Sequence, residues 1–338
     1  MRYLGMSLGS QLTAIQILLV LGALCPWFTP AQAQLSGNIV RIGRLSPISA
    51  TTDGRVFNGF RQTLHDRGWV EGQNLAFEYQ FAAGELERLP GLAAELVRLN
   101  VNVILAGSSP GVLAAKNATA TIPIVMVTTG DPVTSGLVSS LARPGGNITG
   151  VTALSDALGG KRLQLLTQAV PGVARVAVLV NPTYPDDVGP FLQGVEEAAR
   201  TLKVELHILK VRHPSEFEQA FTAMSRAGDQ ALMVGTDPMF NTNRKRLVAL
   251  ATQYQLPAMY GLREFMDAGG LMFYGASLPH MYKRAATFVD RILRGAKPAD
   301  LPVEQATNFE LVINLKIAKD LGVTIPPLLL FQANEVIQ

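Results

Sequence analysis

Five residues, Gly107-Ser108-Ser109-Pro110-Gly111, come nearest in this sequence to a catalytic motif. They match the G-x-S-x-G pattern, in which a serine on a sharp strand-to-helix turn attacks a carbonyl, and they lie between a strand-like and a helix-like run. The pattern fails at one atom. An elbow of this kind uses the backbone N–H of the residue after its serine as an oxyanion donor, and Pro110 has no N–H. Hydrolysis through Ser109 is therefore the weaker reading. In the stronger one Ser109 is a helix N-cap followed by proline, and Ser108, Ser109 and the free amides of the first turn are placed to meet a carboxylate.

A second pattern occurs twice. Met126-Val-Thr-Thr-Gly-Asp131-Pro132 and Met233-Val-Gly-Thr-Asp237-Pro238 are matching strand ends, each closed by an aspartate that suits capping of a following helix. The carboxyl ends of parallel strands are also where ligands sit, so Asp131 and Asp237 are candidates to face one another across a cleft and take a ligand's amino group. Ser46, Thr128 and Asn181 stand at other strand ends and join the ligand-binding candidates. Tyr184, Tyr260 and Tyr274 lie near strand ends where aromatic rings would form cleft walls, with core packing as the alternative for each. Trp69, after the Gly68 helix stop, is expected at the base of its lobe.

Other chemistries lack their residues. His65, His207, His213 and His280 show no metal-ligand spacing, and no phosphate-binding or dinucleotide-binding glycine loop is present, so no metal or cofactor is expected. The net charge of +3 is spread along the chain, and Arg244-Lys245-Arg246 reads as a solvated helix face, which argues against nucleic acid. The lone cysteine, Cys25, falls in the N-terminal segment. Disulfides and a cysteine nucleophile are thereby excluded from the remainder.

These residues need a scaffold, and hydrophobic periodicity supplies one. Strand-like runs at 39 to 46, 74 to 81, 101 to 108 and 122 to 130 alternate with helical patterns such as 56 to 67 and 86 to 99, the latter stopped by Asn100. A second series runs through 175 to 180, 204 to 211, 230 to 236, 257 to 262 and 270 to 277. This is the alternation of an α/β protein with two doubly wound parallel-sheet lobes. Between the series, 143 to 156 is rich in glycine and turn formers around a short apolar strand, as a hinge requires. The expected division is 35–152 plus about 279–306 in lobe 1 and 153–278 plus about 307–338 in lobe 2, with the ligand cleft between them.

Residues 1 to 33 read as a signal peptide. The uncharged run 12 to 24 follows Arg2 and precedes Pro26, Pro30 and Ala31-Gln32-Ala33, which suits cleavage before Gln34. The run is short for a membrane span, and Leu24 before Cys25 argues against a lipoprotein anchor. A periplasmic location is expected.

Longer stretches resemble a known family. Arg67-Gly-Trp-Val-Glu-Gly-Gln-Asn74, Leu89-Pro-Gly-Leu-Ala-Ala-Glu-Leu96, Gly130-Asp-Pro-Val133 with Leu141-Ala-Arg-Pro-Gly-Gly-Asn-Ile-Thr-Gly150, Tyr260-Gly-Leu-Arg-Glu264 with Gly269-Gly-Leu-Met272, and Lys297-Pro-Ala-Asp-Leu-Pro-Val-Glu304 with Phe309-Glu-Leu-Val-Ile-Asn-Leu-Lys316 carry the resemblance. Together they are similar to the substrate-binding proteins of ABC transporters with the type I periplasmic-binding fold, in the group related to tryptophan- and tyrosine-type binding proteins. The resemblance implies a non-catalytic, monomeric receptor that closes on a small molecule and presents it to a membrane permease. It leaves the ligand open, and leaves Arg263 and Glu264 between ligand, hinge and permease. A sensor module for a membrane receptor is the remaining alternative.

Overall fold

The computed structural model describes residues 39–183 and 185–338. The expected signal peptide with Cys25, and the candidate Tyr184, lie outside them. In chain order the first series is β1 (Val40–Ser46), α1 (Ala50–Asp66), β2 (Leu75–Phe81), α2 (Leu89–Arg98), β3 (Val103–Gly107), α3 (Ser108–Ala118), β4 (Ile124–Thr128) and β5 (Ile148–Thr152). The second is α4 (Gly159–Ala169), β6 (Arg175–Val180), α5 (Pro185–Leu202), β7 (Glu205–Lys210), α6 (Phe217–Ala227), β8 (Ala231–Val234), α7 (Pro238–Thr242), α8 (Arg244–Gln253), β9 (Ala258–Tyr260), α9 (Glu264–Asp267) and β10 (Met272–Ala276). The tail adds α10 (Leu278–Leu293), β11 (Glu304–Gln305), β12 (Phe309–Asn314), α11 (Leu315–Asp320), α12 (Pro327–Gln332) and β13 (Glu335–Ile337).

Two sheets result, ordered β11-β5-β4-β3-β1-β2 and β13-β12-β10-β9-β8-β6-β7. Each is covered on both faces, which is why its strands are apolar at consecutive positions. In β3, Val103 and Leu105 pack with Phe57, Phe60 and Val289 of α1 and α10, while Ile104 and Ala106 pack with Leu96 and Val112 of α2 and α3. The second sheet repeats the arrangement, with Ala177 and Leu179 on one core and Val176 and Val178 on the other.

One departure from purely parallel lobes has a topological cause. The chain passes between the sheets after β5, after β10 and after β11. On its last passage it enters the second sheet beside the carboxyl end of β10, with Phe309 paired to Ala276, so β12 must run antiparallel to β10.

Gly150 fixes the packing of β5 on β4. Its φ is +137°, and a Cβ there would lie 2.2 Å from the carbonyl oxygen of Met126, so no side chain fits. At Gly68 (φ +91°) and Asn100 (φ +50°) the chain turns left-handed after α1 and α2, the helix stops read from the sequence. Trp69 packs partly buried on the first-lobe core, and its Nε1 donates to Asp290 at 2.9 Å.

In both sheets the strand order reverses direction once, between β1 and β3 and between β6 and β8. At such switch points the connections diverge to opposite faces and leave a crevice beyond the carboxyl ends of the strands.

Candidate functional site

A cavity that opens to solvent lies at both switch points. Ser46 and Pro47 reach it from the end of β1, Gly107, Ser108 and Ser109 from the β3–α3 turn, Asn181 from the end of β6, and Thr236 and Asp237 from the end of β8. Asn241, Leu262 and Glu264 extend the second-lobe wall, and Tyr282 of α10 closes the first.

The first-lobe wall is built on Arg44, a residue that the sequence reading did not single out. Arg44 is 1% exposed, and its guanidinium pairs with Asp53 in the first turn of α1. It also donates to the Tyr282 hydroxyl at 2.5 Å and to the carbonyls of Leu45 (3.0 Å) and Leu105 (3.3 Å). Burial alone would make this guanidinium easier to deprotonate, but Asp53 and Tyr282 outweigh it and hold the pKa above its ordinary value. Burial pushes the Tyr282 phenol up, opposed by Arg44 and reinforced by the fields of Asp53 and Glu264. Ser46 Oγ donates to the same Asp53 carboxylate at 2.9 Å. The cation is thus saturated by protein groups and stiffens the wall. Gly107 gives it room, because a Cβ there would come within 3.2 Å of the guanidinium and 3.3 Å of the Tyr282 hydroxyl and would press on both.

The β3–α3 turn departs from the expected capping. Helix α3 starts at Ser108, with Gly107 in the N-cap position and no side-chain cap. Ser109 instead turns its hydroxyl to Thr128 Oγ1 at 3.0 Å, so Thr128 supports Ser109 from behind and does not line the cavity. Ser108 has φ +62°, a left-handed conformation that costs a non-glycine residue on the order of 1 kcal/mol. The amino end of α3 faces the cavity beside the Ser108 hydroxyl. Among the described residues no histidine lines the cavity, and the Ser109 hydroxyl is bonded to Thr128.

On the second-lobe wall Asp237 caps α7. Its Oδ1 accepts from Met239 N (2.8 Å) and Phe240 N (3.2 Å), and its Oδ2 accepts from Asn181 Nδ2 (3.0 Å). Four lining atoms are buried without a hydrogen-bond partner among the described residues: Ser108 Oγ, Thr236 Oγ1, Asn241 Oδ1 and Glu264 Oε2. Buried polar atoms are normally satisfied by protein or by water, so these four are available to whatever occupies the cavity. Burial raises the Glu264 pKa above the usual carboxylate range, against an opposing backbone hydrogen bond and the Arg244 and Arg263 charges. Arg263 points elsewhere, to Glu335 at 2.6 Å and Glu310 at 3.9 Å.

Ser46, Ser108, Ser109, Asn181 and Asp237 are therefore brought together, while Asp131, Tyr260 and Tyr274 are not. Asp131 does not face Asp237. Its carboxylate accepts from Val133 N (2.8 Å) and Thr134 Oγ1 (2.9 Å) in a tight turn, and no helix follows it as one follows Asp237. Tyr260 is 1% exposed and stacks on Phe265 at 4.5 Å, a core position. Tyr274 stacks on Phe309 at 6.3 Å across the β10–β12 pair. His207 is locally bonded, to Asp229 at 2.6 Å.

Known proteins resemble this chain in sequence and fold. A tyrosine-binding protein of Clostridioides difficile (strain R20291) is 28% identical over 259 residues, covering 76% of this chain and 73% of the relative. A crystal structure of a conserved domain protein from Vibrio cholerae superposes with a TM-score of 0.82 at 25% identity, covering 88% of this chain and 100% of that one. An ABC domain from Streptococcus pneumoniae in complex with L-Trp gives a TM-score of 0.82 at 24% identity over 89% of this chain and 100% of that one. The family model described as ABC transporter substrate binding protein matches residues 42–337, so the chain belongs to that family.

Proposed function

We propose that this chain is the extracytoplasmic receptor of an ABC importer, working as a monomer without a cofactor and catalysing no reaction. It captures a small carboxylate-bearing molecule, with amino acids the first class to test, and delivers it to a membrane permease. The observation that carries this reading is the single cavity at both switch points, with unpartnered polar atoms contributed by both sheets. The carboxylate seats at the amino end of α3, where Ser108, Ser109 and the first-turn amides converge and the helix dipole favours an anion.

Lobe 1 (35–152 plus about 279–306) and lobe 2 (153–278 plus about 307–338) act as bodies that close on the ligand about the three chain passages. Contacts from Ser46, Ser108 and Ser109 on one side and from Thr236 and Asn181, braced by Asp237, on the other form together only in the closed state. That difference lets ligand drive closure. The kinds of ligand seen with relatives, tyrosine and L-Trp, support starting with aromatic amino acids.

A thermal-shift screen of the protein without residues 1 to 33, against the common amino acids and small organic acids, tests the reading. A ligand at one hundred times its Kd stabilises by about 2.7 kcal/mol, a shift of several degrees. Consumption of any screened compound, or no shift across amino acids and organic acids alike, overturns it.

A further inference from the structure

The charges around the cavity do not suit a ligand that is only an anion. Among the described residues Arg44 is the one cationic side chain lining it, and that guanidinium is taken up by Asp53, Tyr282 and two carbonyls. Two carboxyl groups, Asp237 and Glu264, line it as well. Asp237 is committed to the α7 cap and Asn181. Glu264 is 9% exposed, and its Oε2 has no partner. Asn241, 4% exposed, adds a second unpartnered acceptor, Oδ1, to the same wall. A bare carboxylate entering this cleft would add like charge where the surroundings are poorly polarisable.

We propose that Glu264, with Asn241 beside it, is the specificity-determining contact for a cationic amine on the ligand, so that the cleft selects a zwitterion over the corresponding simple acid. This rests on the reading that the cavity is the ligand site, and names the group its second-lobe wall recognises. An ammonium needs acceptors, and Oδ1 of Asn241 and Oε2 of Glu264, once its proton has left, are unpartnered acceptors of that wall. Arg263 works as a positioning residue: tied to Glu335 on β13 and Glu310 on β12, it holds the loop before α9. The charges facing Glu264 are Arg244 at the start of α8, Arg263 and Asp267 at either end of α9, and the Tyr282 phenol of α10. Ion pairing with an ammonium draws the Glu264 proton off, so binding of an amine releases protons and strengthens as pH rises.

The probes are L-tyrosine and L-tryptophan against 3-(4-hydroxyphenyl)propanoate and 3-(indol-3-yl)propanoate, which lack only the amine, measured by calorimetry. Wild type is expected to prefer the amino acid, and Glu264→Gln to lose about 10- to 100-fold for it while binding the amine-free acid no more weakly than wild type does, so that the preference collapses. In wild type alone, amino-acid affinity is expected to rise with pH at values where both ligand carboxylates are ionised, and the amine-free acid to show no such rise. Binding of an amino acid with the preference intact in Glu264→Gln, or with no pH slope, overturns this assignment and leaves the ligand-site reading standing. Absence of binding by all four probes, with none from the wider screen, overturns both.

Discussion

Arg44 and Asp53 form an ion pair in which both side chains are almost fully enclosed, 1% and 2% exposed, at the wall of the cavity that Arg44 lines. The pair joins β1 to the first turn of α1, and Tyr282 extends it to α10. Removing one partner of such a pair leaves the other charged and buried, which typically costs 3 to 5 kcal/mol. Asp53→Ala should therefore destabilise the protein by about 3 kcal/mol or more in denaturant unfolding. Arg44→Met combined with Asp53→Leu should recover most of that loss. A single-variant cost below about 1 kcal/mol would show that the pair is not holding the wall.

At Gly150 the expected effect is steric. A methyl group cannot sit 2.2 Å from the Met126 carbonyl, and the φ of +137° is one that alanine avoids. Gly150→Ala should separate β5 from β4 and lower the melting temperature by more than 5 °C, or abolish soluble expression, because strain and lost strand pairing both exceed about 2 kcal/mol. Gly146→Ala, four residues earlier with open space around its Cα, is the control and should be near neutral.

The architecture was legible because strand and helix periods are local properties. The runs at 101 to 108 and 175 to 180 had to be buried strands, and parallel topology then put Ser108, Ser109, Asn181 and Asp237 at strand carboxyl ends, where they line one cavity. What could not be read was face and partner. Period-two alternation places Tyr260 and Tyr274 on sheet faces without saying what packs there, and Phe265 and Phe309 took those positions. The two Asp-Pro ends look alike, yet only Asp237 is followed by a helix to cap. Arg44 was not legible because an arginine within an apolar strand carries no motif, and although Asp53 lies nine positions on, Tyr282 lies 238 positions away in sequence.

Glu264 should make the empty protein less stable as pH rises. Burial holds its pKa above that of the unfolded chain, so between the two values the folded state binds more protons than the unfolded state. Stability is then greatest below the unfolded pKa and is lost progressively up to the folded one. Glu264→Gln, neutral at every pH, should flatten this part of the profile, and its melting temperature relative to wild type should improve from acidic to neutral pH. Calorimetric scans of both proteins without ligand check this. A parallel pair of profiles would mean that Glu264 does not titrate with folding.

Asp237 separates support from recognition. Its Oδ1 satisfies two amides of α7 and its Oδ2 takes the amide of Asn181, so the ends of β6 and β8 are joined through one carboxylate. Asp237→Ala loses the cap, about 1 kcal/mol, and leaves the Asn181 amide without its acceptor, about 1 to 3 kcal/mol more. Asp237→Asn keeps an oxygen for α7 but turns an N–H₂ group toward Asn181, so its loss should be about half as large. Ligand affinity should follow in the same order, because both changes loosen the wall that carries Thr236 and Asn181. Small-angle scattering at saturating ligand should still show compaction in Asp237→Asn, since the α3 end and Glu264 are untouched. Loss of compaction or of more than tenfold affinity in that variant, with an unchanged melting temperature, would assign the Asp237 carboxylate to the ligand instead of the wall.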